Sequence, residues 1–273
     1  MKPSKHLRLC LSGLFSILTL YVSTVHADAA ERVLTLNSAS GAKMRTLVTG
    51  TPATAAANLI LLAGGDGKVI ISGKGEIRRM GNNFLVRSRN LFVGQGFLTA
   101  IVDAPVDRRG KTGLLGGFRA SRQHASDLAS VAEALKAMNG KPVIVIGTSR
   151  GTVSAANLAA RQEEGTISAA VLTSSLIKKN KKGAIVQDLP LAAIKVPVLF
   201  VHNRNDGCKV TRLAGVERVV KKMRASGVDS GLIIVESKRQ KVKNPCQALT
   251  PHGFLGIEMA VIGKIAEWIK EQL

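Results

Sequence analysis

Short, uninterrupted runs of apolar residues alternate with amphipathic stretches along most of the chain. Six such runs lie at residues 58–63, 97–102, 143–147, 169–173, 198–202 and 232–236. Continuous apolar runs, rather than alternating polar and apolar positions, are typical of strands that are covered on both faces. Ahead of them, residues 32–36 and 45–48 predict a hairpin that turns at residues 38–41. Together these segments predict eight strands.

Between the runs, apolar residues recur at the three- and four-residue spacing of helices. One series follows Ser121, a residue type suited to capping a helix, and consists of Leu128, Val131, Ala132, Leu135 and Met138. The series near the end of the chain consists of Phe254, Ile257, Val261, Ile265 and Trp268. This alternation predicts an α/β fold, a three-layer sandwich whose mostly parallel eight-stranded sheet carries helices on both faces. Ligands bind such sheets at the carboxyl ends of the strands, so chemistry is expected just after each run.

The first residues differ from the rest and predict an export signal. A basic start precedes an apolar run that ends near Val25, and Ala27 closes a cleavage site of the usual kind. A membrane anchor is the alternative, because the run is nearly long enough to span a bilayer. The serines and threonines inside the run and the cleavage site favour removal. We therefore expect a signal peptide at residues 1–27, a domain at residues 28–273, a periplasmic or secreted location and no stable membrane insertion after cleavage.

The chain is strongly basic, with 39 Lys and Arg against 18 Asp and Glu and a formal charge of +21. The basic residues cluster at residues 78–79, 108–109, 178–182, 221–224 and 238–243. Such clusters are usually solvated faces; the alternative is attraction to an anionic envelope polymer or an acidic substrate. Aromatic residues make up only 3% of the chain and no recognition module is visible, so no nucleic-acid partner is expected.

A serine with a distinctive context follows the strand predicted at residues 143–147. Ser149 is the centre of a G-x-S-x-G motif, and the helix-compatible residues 152–161 come next. The motif alone arises easily by chance. Between a strand and a helix, however, it is typical of a sharp turn that exposes the serine, where the flanking glycines relieve crowding. Ser149 is therefore the candidate nucleophile.

At this point the sequence after the signal resembles the α/β-hydrolase fold family over essentially its whole length. In that family the nucleophile, an acid and a histidine follow in this chain order, each on a loop after a strand. The resemblance implies a serine hydrolase without a large cap domain, using an acyl-enzyme and no cofactor, most simply on a small-molecule or acyl ester. A serine peptidase or amidase and an acyltransferase on the same triad are alternatives. A non-catalytic protein that binds anionic polymers is the least favoured.

Three histidines lie beyond the signal, and the family order favours His252 as the base. It lies on a loop that opens the last helix, and Gly and Phe follow it. Imidazole is suited to taking a proton from a serine hydroxyl because it titrates near neutral pH. His124, at the start of a predicted helix, is interpreted as a solvated or capping residue. His202, which ends a predicted strand, is interpreted as structural.

The acid of the triad is expected after the strand at residues 198–202. Asp206 lies there in a segment that resembles the acid loop of the family, with Asn203 in place of the usual glycine. Its role would be to hold the tautomer of His252 and to stabilise the imidazolium. Weaker candidates are Asp188, Asp229 and, best among them, Glu236.

A glycine-rich loop follows the strand at residues 58–63 and resembles the oxyanion loop of the family, with Ala63 where a histidine is usual. The resemblance implies that the backbone N–H of Gly65 or Asp66, with that of Arg150, binds the developing negative charge. A plain turn or a phosphate loop is the alternative. No Walker-type lysine–hydroxyl pair follows, which disfavours the phosphate loop.

Two cysteines lie beyond the signal, and an even number makes a disulfide the default in an oxidising compartment. No CxxC pair predicts a zinc site, so no metal is expected. Cys208 follows Asp206 by two residues and Cys246 precedes His252 by six. A bond between them would connect the two loops and stabilise the fold by roughly 4 kcal/mol. Two free buried thiols are the alternative.

Overall fold

Eight strands form one sheet in the computed structural model, which describes residues 30–273. They are β1 (Glu31–Asn37), β2 (Lys43–Thr49), β3 (Asn58–Leu62), β4 (Leu98–Val102), β5 (Val143–Thr148), β6 (Ala169–Thr173), β7 (Val198–Asn203) and β8 (Ser230–Val235). Their spatial order is β1-β2-β4-β3-β5-β6-β7-β8. Strand β2 is antiparallel to β1 and β4, and all pairs from β4 to β8 are parallel. The predicted hairpin and the six predicted buried strands are all present. The expected signal peptide lies outside the described residues.

Six α-helices cover the two faces of the sheet in this part of the chain. They are α1 (Phe84–Arg87), α2 (Arg89–Gly94), α3 (Arg122–Asn139), α4 (Gly151–Arg161), α5 (Leu213–Ala225) and α6 (Glu258–Lys270). Helices α1, α2 and α6 share one hydrophobic core with one face of the sheet, while α3, α4 and α5 share a second core with the other face. The predicted three-layer α/β sandwich is therefore confirmed. None of these helices is long and apolar enough to cross a bilayer.

The continuous apolar runs have a direct explanation in these two cores. In β5, Val143 and Val145 pack on the side of α3 to α5, whereas Ile144 and Ile146 pack on the side of α6. Successive side chains of a strand point to opposite faces, so a strand between two helical layers needs an apolar residue at every position. Strand β5 lies between β3 and β6 in the middle of the sheet, and the turn that carries Ser149 follows its carboxyl end.

Of the two helices predicted from periodicity, α3 starts where the sequence indicates and α6 starts later. Helix α3 begins directly after Ser121, whose Oγ accepts a hydrogen bond from the backbone N–H of His124 at 3.1 Å. Helix α6 begins at Glu258, later than the apolar series indicates, because a 3-10 turn and two left-handed residues, Phe254 and Gly256, precede it. The apolar residues before α6 still pack into the core, so periodicity found their burial and not their conformation.

Candidate active site

Ser149 occupies a sharp turn between β5 and α4. Its φ of +53° is left-handed, a conformation that serine rarely adopts. A side chain at Gly147 would collide with the backbone of Gly151, and one at Gly151 would collide with the carbonyl oxygen of Leu62. Gly147 is therefore needed for α4 to start this close to β5, and Gly151 for α4 to pass this close to β3. The turn has the strand-before, helix-after context that the motif predicts.

Asp206 and His252 form a buried hydrogen-bonded pair at the carboxyl end of β7. Asp206 Oδ2 accepts from His252 Nδ1 at 2.9 Å and from Thr211 Oγ1 at 2.9 Å, while Oδ1 accepts from the backbone N–H of Cys208 at 2.9 Å. Because a carboxylate only accepts, the imidazole proton lies on Nδ1. Nε2 is then the free acceptor that a general base requires.

The loop of His252 is held by contacts on several sides. The backbone N–H of His252 donates to Thr250 Oγ1 at 3.2 Å, and its carbonyl oxygen accepts from Ser174 Oγ at 2.7 Å. A side chain at Gly253 would collide with the backbone of Ala248. Glycine is therefore required directly after His252, because no larger residue fits against Ala248.

Cys208 and Cys246 are joined by a disulfide, as predicted. Cys208 is buried on the loop of Asp206, and Cys246 is exposed on the segment that leads to His252. Both cysteines line the cavity that contains Ser149 and His252. The bond therefore connects the two loops whose relative position sets the contact between Asp206 and His252.

The glycine-rich loop after β3 lies directly against the serine turn. A side chain at Gly64 would lie 3.0 Å from the carbonyl oxygen of Thr148 and 3.1 Å from Cβ of Ser149. The backbone N–H groups of Gly65 and Arg150 donate to no acceptor within residues 30–273, and both residues line the same cavity as Ser149. They are thus brought together as expected.

Asp66 is placed differently from its expected role. It does not line the cavity, and its carboxylate pairs with Lys68 at 3.3 Å and with Arg79 at 3.4 Å. The turn from Gly64 to Gly67, closed by a 3.1 Å backbone hydrogen bond, carries Asp66 away from the serine. Of the two residues expected on this loop, only Gly65 lies at the cavity.

Ser149 and His252 line one cavity of about 510 Å³. Among the described residues no hydrogen bond joins them, in contrast to the bond between His252 and Asp206. Hydrogen bonds of this kind often become short and well aligned only with substrate in place. Residues 174–196, where a cap could be inserted, contain only two short 3-10 turns, Val186–Asp188 and Leu191–Ala193. No large cap covers the cavity in the described chain.

Comparisons with known proteins agree with this architecture. No protein-family model matches the sequence, and no curated protein is significantly similar to it. An esterase from Pyrococcus furiosus superposes with a TM-score of 0.64 at 13% identity, over 89% of this chain and 93% of its own. A cold-adapted esterase from an Arctic intertidal metagenomic library superposes with a TM-score of 0.58 at 17% identity, over 89% and 94%. The chain has the α/β-hydrolase fold.

Larger proteins contain this hydrolase fold as one part. The dipeptidyl peptidase 4 of Porphyromonas gingivalis superposes with a TM-score of 0.64 at 12% identity, over 90% of this chain but only 36% of its own. At identities this low the similarity establishes the fold, and the chemistry has to be argued from the residues of this chain.

A buried arginine that the sequence did not point to supports the glycine-rich loop of this hydrolase fold. Arg119 Nη2 donates to the carbonyl oxygens of Ala63 at 3.0 Å and Gly64 at 3.1 Å, and Nη1 donates to Ser154 Oγ at 2.8 Å. Burial, and next the charge of Arg150, lower the pKa of Arg119 to about 9, so it remains a cation at neutral pH. In a trans peptide the N–H lies opposite the C=O. The donation to the Gly64 carbonyl therefore turns the N–H of Gly65 away from Arg119.

His124 belongs to the same buried group, so its interpretation as a solvated or capping residue is wrong. Its Nε2 shares a 2.9 Å hydrogen bond with Ser154 Oγ, and its ring packs against Phe118. Burial, and next the charge of Arg119, lower the pKa of His124 to about 3. The contacts with Ser154 of α4 and with Phe118 leave the His124 side chain buried.

His202 is structural, as interpreted, but it lies close to the acid. Its Nε2 is 3.7 Å from Asp206 Oδ2, and neither ring nitrogen has a hydrogen-bond partner in residues 30–273. Burial lowers the pKa of His202 to about 4, so the ring is neutral at neutral pH. It fills space behind the acid without adding charge.

The weaker candidates for the acid lie away from His252. Asp188 pairs with Lys179 at 3.1 Å and Glu236 pairs with Arg204. Asp229 is exposed at the start of β8, at the end of the sheet opposite the site. Of the four candidate carboxylates, only Asp206 contacts the imidazole.

Proposed function

We propose that this chain is a serine hydrolase that cleaves carboxylic esters through an acyl-enzyme. The observation that carries the proposal is a single cavity with Ser149 on a strained turn and a His252 ring bonded to a buried Asp206. The structural similarity to esterases supports the ester as substrate. The site is also uncapped in the described chain, which suits a small ester.

The proposed reaction has two halves, acylation of Ser149 and hydrolysis of the acyl-enzyme, and His252 acts as base and then as acid in each. Ser149 Oγ attacks the carbonyl carbon while His252 Nε2 takes its proton, and Asp206 stabilises the imidazolium. The N–H groups of Gly65 and Arg150 bind the negative charge on the carbonyl oxygen. His252 then donates its proton to the leaving alcohol as the C–O bond breaks. Water attacks the acyl-enzyme with His252 again as base, and His252 then returns the proton to Ser149 Oγ as the acyl C–O bond breaks, which releases the carboxylic acid and free Ser149.

Amide hydrolysis is the second candidate, because dipeptidyl peptidases are among the similar structures. The same triad and oxyanion donors would serve, with His252 protonating an amine instead of an alcohol. Comparing p-nitrophenyl esters with aminoacyl p-nitroanilides separates the two. We expect the ratio of kcat/KM for the ester to kcat/KM for the anilide to exceed the ratio of their rates of uncatalysed hydrolysis.

Covalent labelling tests the nucleophile directly. A fluorophosphonate probe is expected to label the wild-type protein, and Ser149→Ala is expected to abolish the label. Ser126→Ala is the matched control, because Ser126 is exposed on α3 and does not line the cavity. Equal labelling of Ser149→Ala and the wild type, or no labelling of the wild type, would contradict the proposal.

We also propose that the protein is exported and works against an anionic envelope. The disulfide supports an oxidising compartment, and the basic surface suits anionic surroundings. Fractionation of the native host with N-terminal sequencing tests this, and the mature protein is expected to begin at Asp28. An intact Met1 in the cytosolic fraction would be the contrary result.

A further inference from the structure

We propose that the substrate carries an anionic group, bound by the side chains of Arg150 and Lys182 beside the reacting carbonyl. This inference rests on the proposed function and specifies its substrate class. Both cations line the cavity that holds Ser149 and His252. Among the described residues, no Asp or Glu lines that cavity. Its charged lining is therefore entirely positive.

Asn180 holds the two cationic residues next to each other. Its Oδ1 accepts from Arg150 Nη2 at 2.8 Å and from the backbone N–H of Lys182 at 3.0 Å. One amide oxygen thus orients the guanidinium and fixes the backbone that carries the ammonium. An oriented guanidinium with a lysine fixed beside it through its backbone is a suitable arrangement for a carboxylate or phosphate.

Arg150 has a further property of a ligand-binding arginine. It is partly buried, and within residues 30–273 it forms no ion pair with a carboxylate, nor does Lys182. Removing a guanidinium from water without an opposite charge costs free energy, and burial lowers the pKa of Arg150 accordingly. An anionic ligand in the cavity would offset this cost.

The surroundings increase the positive potential. Arg119 lies buried behind the glycine-rich loop, near enough to Arg150 for their charges to interact. Of the nearby carboxylates, Asp66 is already paired with Lys68 and Arg79, and Asp206 is buried behind His252 and does not line the cavity. A cavity lined by one sign of charge concentrates substrates of the other sign.

The remaining polar lining is neutral and rich in amides: Asn82, Asn83, Asn180, Asn244 and Gln247. These side chains both donate and accept, so they suit a hydrophilic ester with hydroxyl or amide groups around the anion. The combination of two cations and several neutral amides points to an acidic, polar substrate.

Two matched pairs of esters test the inference on the two sides of the scissile bond. For the acyl side, p-nitrophenyl hydrogen glutarate is compared with p-nitrophenyl hexanoate. For the alcohol side, the acetate ester of p-hydroxybenzoate is compared with that of its methyl ester. In at least one pair we expect kcat/KM to favour the anionic ester by roughly tenfold, relative to alkaline hydrolysis of the same pair, as for a charge-assisted contact.

Substitutions then assign that preference. Arg150→Gln and Lys182→Gln are each expected to reduce the anionic preference several-fold, while Arg150→Lys retains more of it. Lys222→Gln is the control, since Lys222 is exposed on α5 and does not line this cavity. A preference that is unchanged in both Gln variants, or an active wild type with no preference in either pair, would overturn the inference.

Binding to an inactive variant separates this inference from the proposed reaction. Ser149→Ala is titrated calorimetrically with the anionic and neutral esters of each pair, with and without Arg150→Gln. Tighter binding of the anionic ester that depends on Arg150 supports the anion site even if the wild type resists fluorophosphonate. Equal binding of both esters contradicts the site even if labelling succeeds.

Discussion

Ser149 has a strained backbone, and its own neighbours hold it in place. Its N–H donates to the carbonyl oxygen of Thr173 at 2.9 Å, and its carbonyl oxygen accepts from both the N–H and Oγ1 of Thr152. Strain of this kind, of order 1–3 kcal/mol, persists where surrounding contacts over-determine the conformation. The arrangement holds Ser149 at the cavity and leaves the next N–H, that of Arg150, without an acceptor in the described chain.

Arg119 should matter for rate more than for binding. If it orients the N–H of Gly65, Arg119→Gln is expected to reduce kcat by about tenfold or more, with the 10²–10³-fold loss of a whole oxyanion donor as the upper limit. KM should change little, because the oxyanion contact forms only in the transition state. Steady-state kinetics on a p-nitrophenyl ester measures both.

Ser154→Ala provides the matched control for Arg119. It removes the hydroxyl that accepts from Nη1 but leaves the donation to the Ala63 and Gly64 carbonyls. Because both Arg119 Nη1 and His124 Nε2 lose a partner, we expect a loss of about 2 kcal/mol or more in the free energy of unfolding, with a much smaller effect on kcat than that of Arg119→Gln. If the two variants lose kcat equally, the arginine acts through general packing and does not position the loop.

His124 should make the stability sensitive to acid. Its pKa is lowered to about 3 in the folded protein, against about 6.5 when unfolded. Between these values the unfolded chain binds more protons, so stability falls as pH falls through this window. From about pH 7 to about pH 4.5, His124 should contribute a loss of about 2 kcal/mol.

The variant His124→Gln isolates this contribution, because a glutamine can still contact Ser154 but does not titrate. Urea unfolding at a series of pH values is expected to give a shallower decline for the variant than for the wild type. His202, with its pKa lowered to about 4, remains in both proteins and supplies a common background. Parallel curves would show that His124 is not buried neutral.

At the scale of elements, the start of α4 packs closely against the end of β3 beside the site. This packing requires glycine at position 151, because any side chain there meets the Leu62 carbonyl oxygen. Gly151→Ala is therefore expected to destabilise the protein by about 3 kcal/mol or more and to abolish fluorophosphonate labelling. Chemical denaturation and labelling of the same preparation check both effects.

Gly94→Ala is the control for that substitution. Gly94 ends α2, and a side chain there would meet no atom within 4 Å. Alanine is the better helix former, so the free energy of unfolding should stay the same or rise slightly. An equally large loss of unfolding free energy in Gly94→Ala would show that the effect of Gly151→Ala is not due to a collision at position 151.

Three helices were missed by the sequence patterns: α5, α1 and α2, the last of which is only six residues long and too short to show periodicity. Helix α5 has an apolar stripe of Val216, Val219, Val220 and Met223, but the cations among residues 221–224 led to its interpretation as a charge cluster. Those cations lie on its exposed side. Helix α1 is only four residues long and starts with a hydrogen bond to the Asn83 side chain, so no periodicity was present to indicate it.

At the scale of the whole molecule, the disulfide connects segments 38 residues apart. Replacing both cysteines with serine is expected to reduce the free energy of unfolding by about 4 kcal/mol and to lower kcat, as the loops of Asp206 and His252 loosen. Denaturation and kinetics on the double variant test this. A thiol-reactive dye should find no free thiol in mature protein denatured without reductant, and two reactive thiols would contradict the bond.

The sequence by itself determined the layers of the fold and pointed to most residues of the candidate site. Strands covered on both faces leave continuous apolar runs, and a serine turn leaves flanking glycines; both signals lie within a few residues of chain. Ser149 was found from its local motif, Asp206 and His252 from the chain order that the family resemblance implies, and the disulfide from the two cysteines left beyond the expected signal.

Only the tertiary structure decided which further side chains reach the site. Arg119 contacts carbonyls more than 50 residues away, and Arg150 meets Asn180 across 30 residues. The same packing turned Asp66 away from the cavity and buried His124. These outcomes depend on how separate elements approach one another in space, and a single arginine or aspartate carries no local pattern that records it.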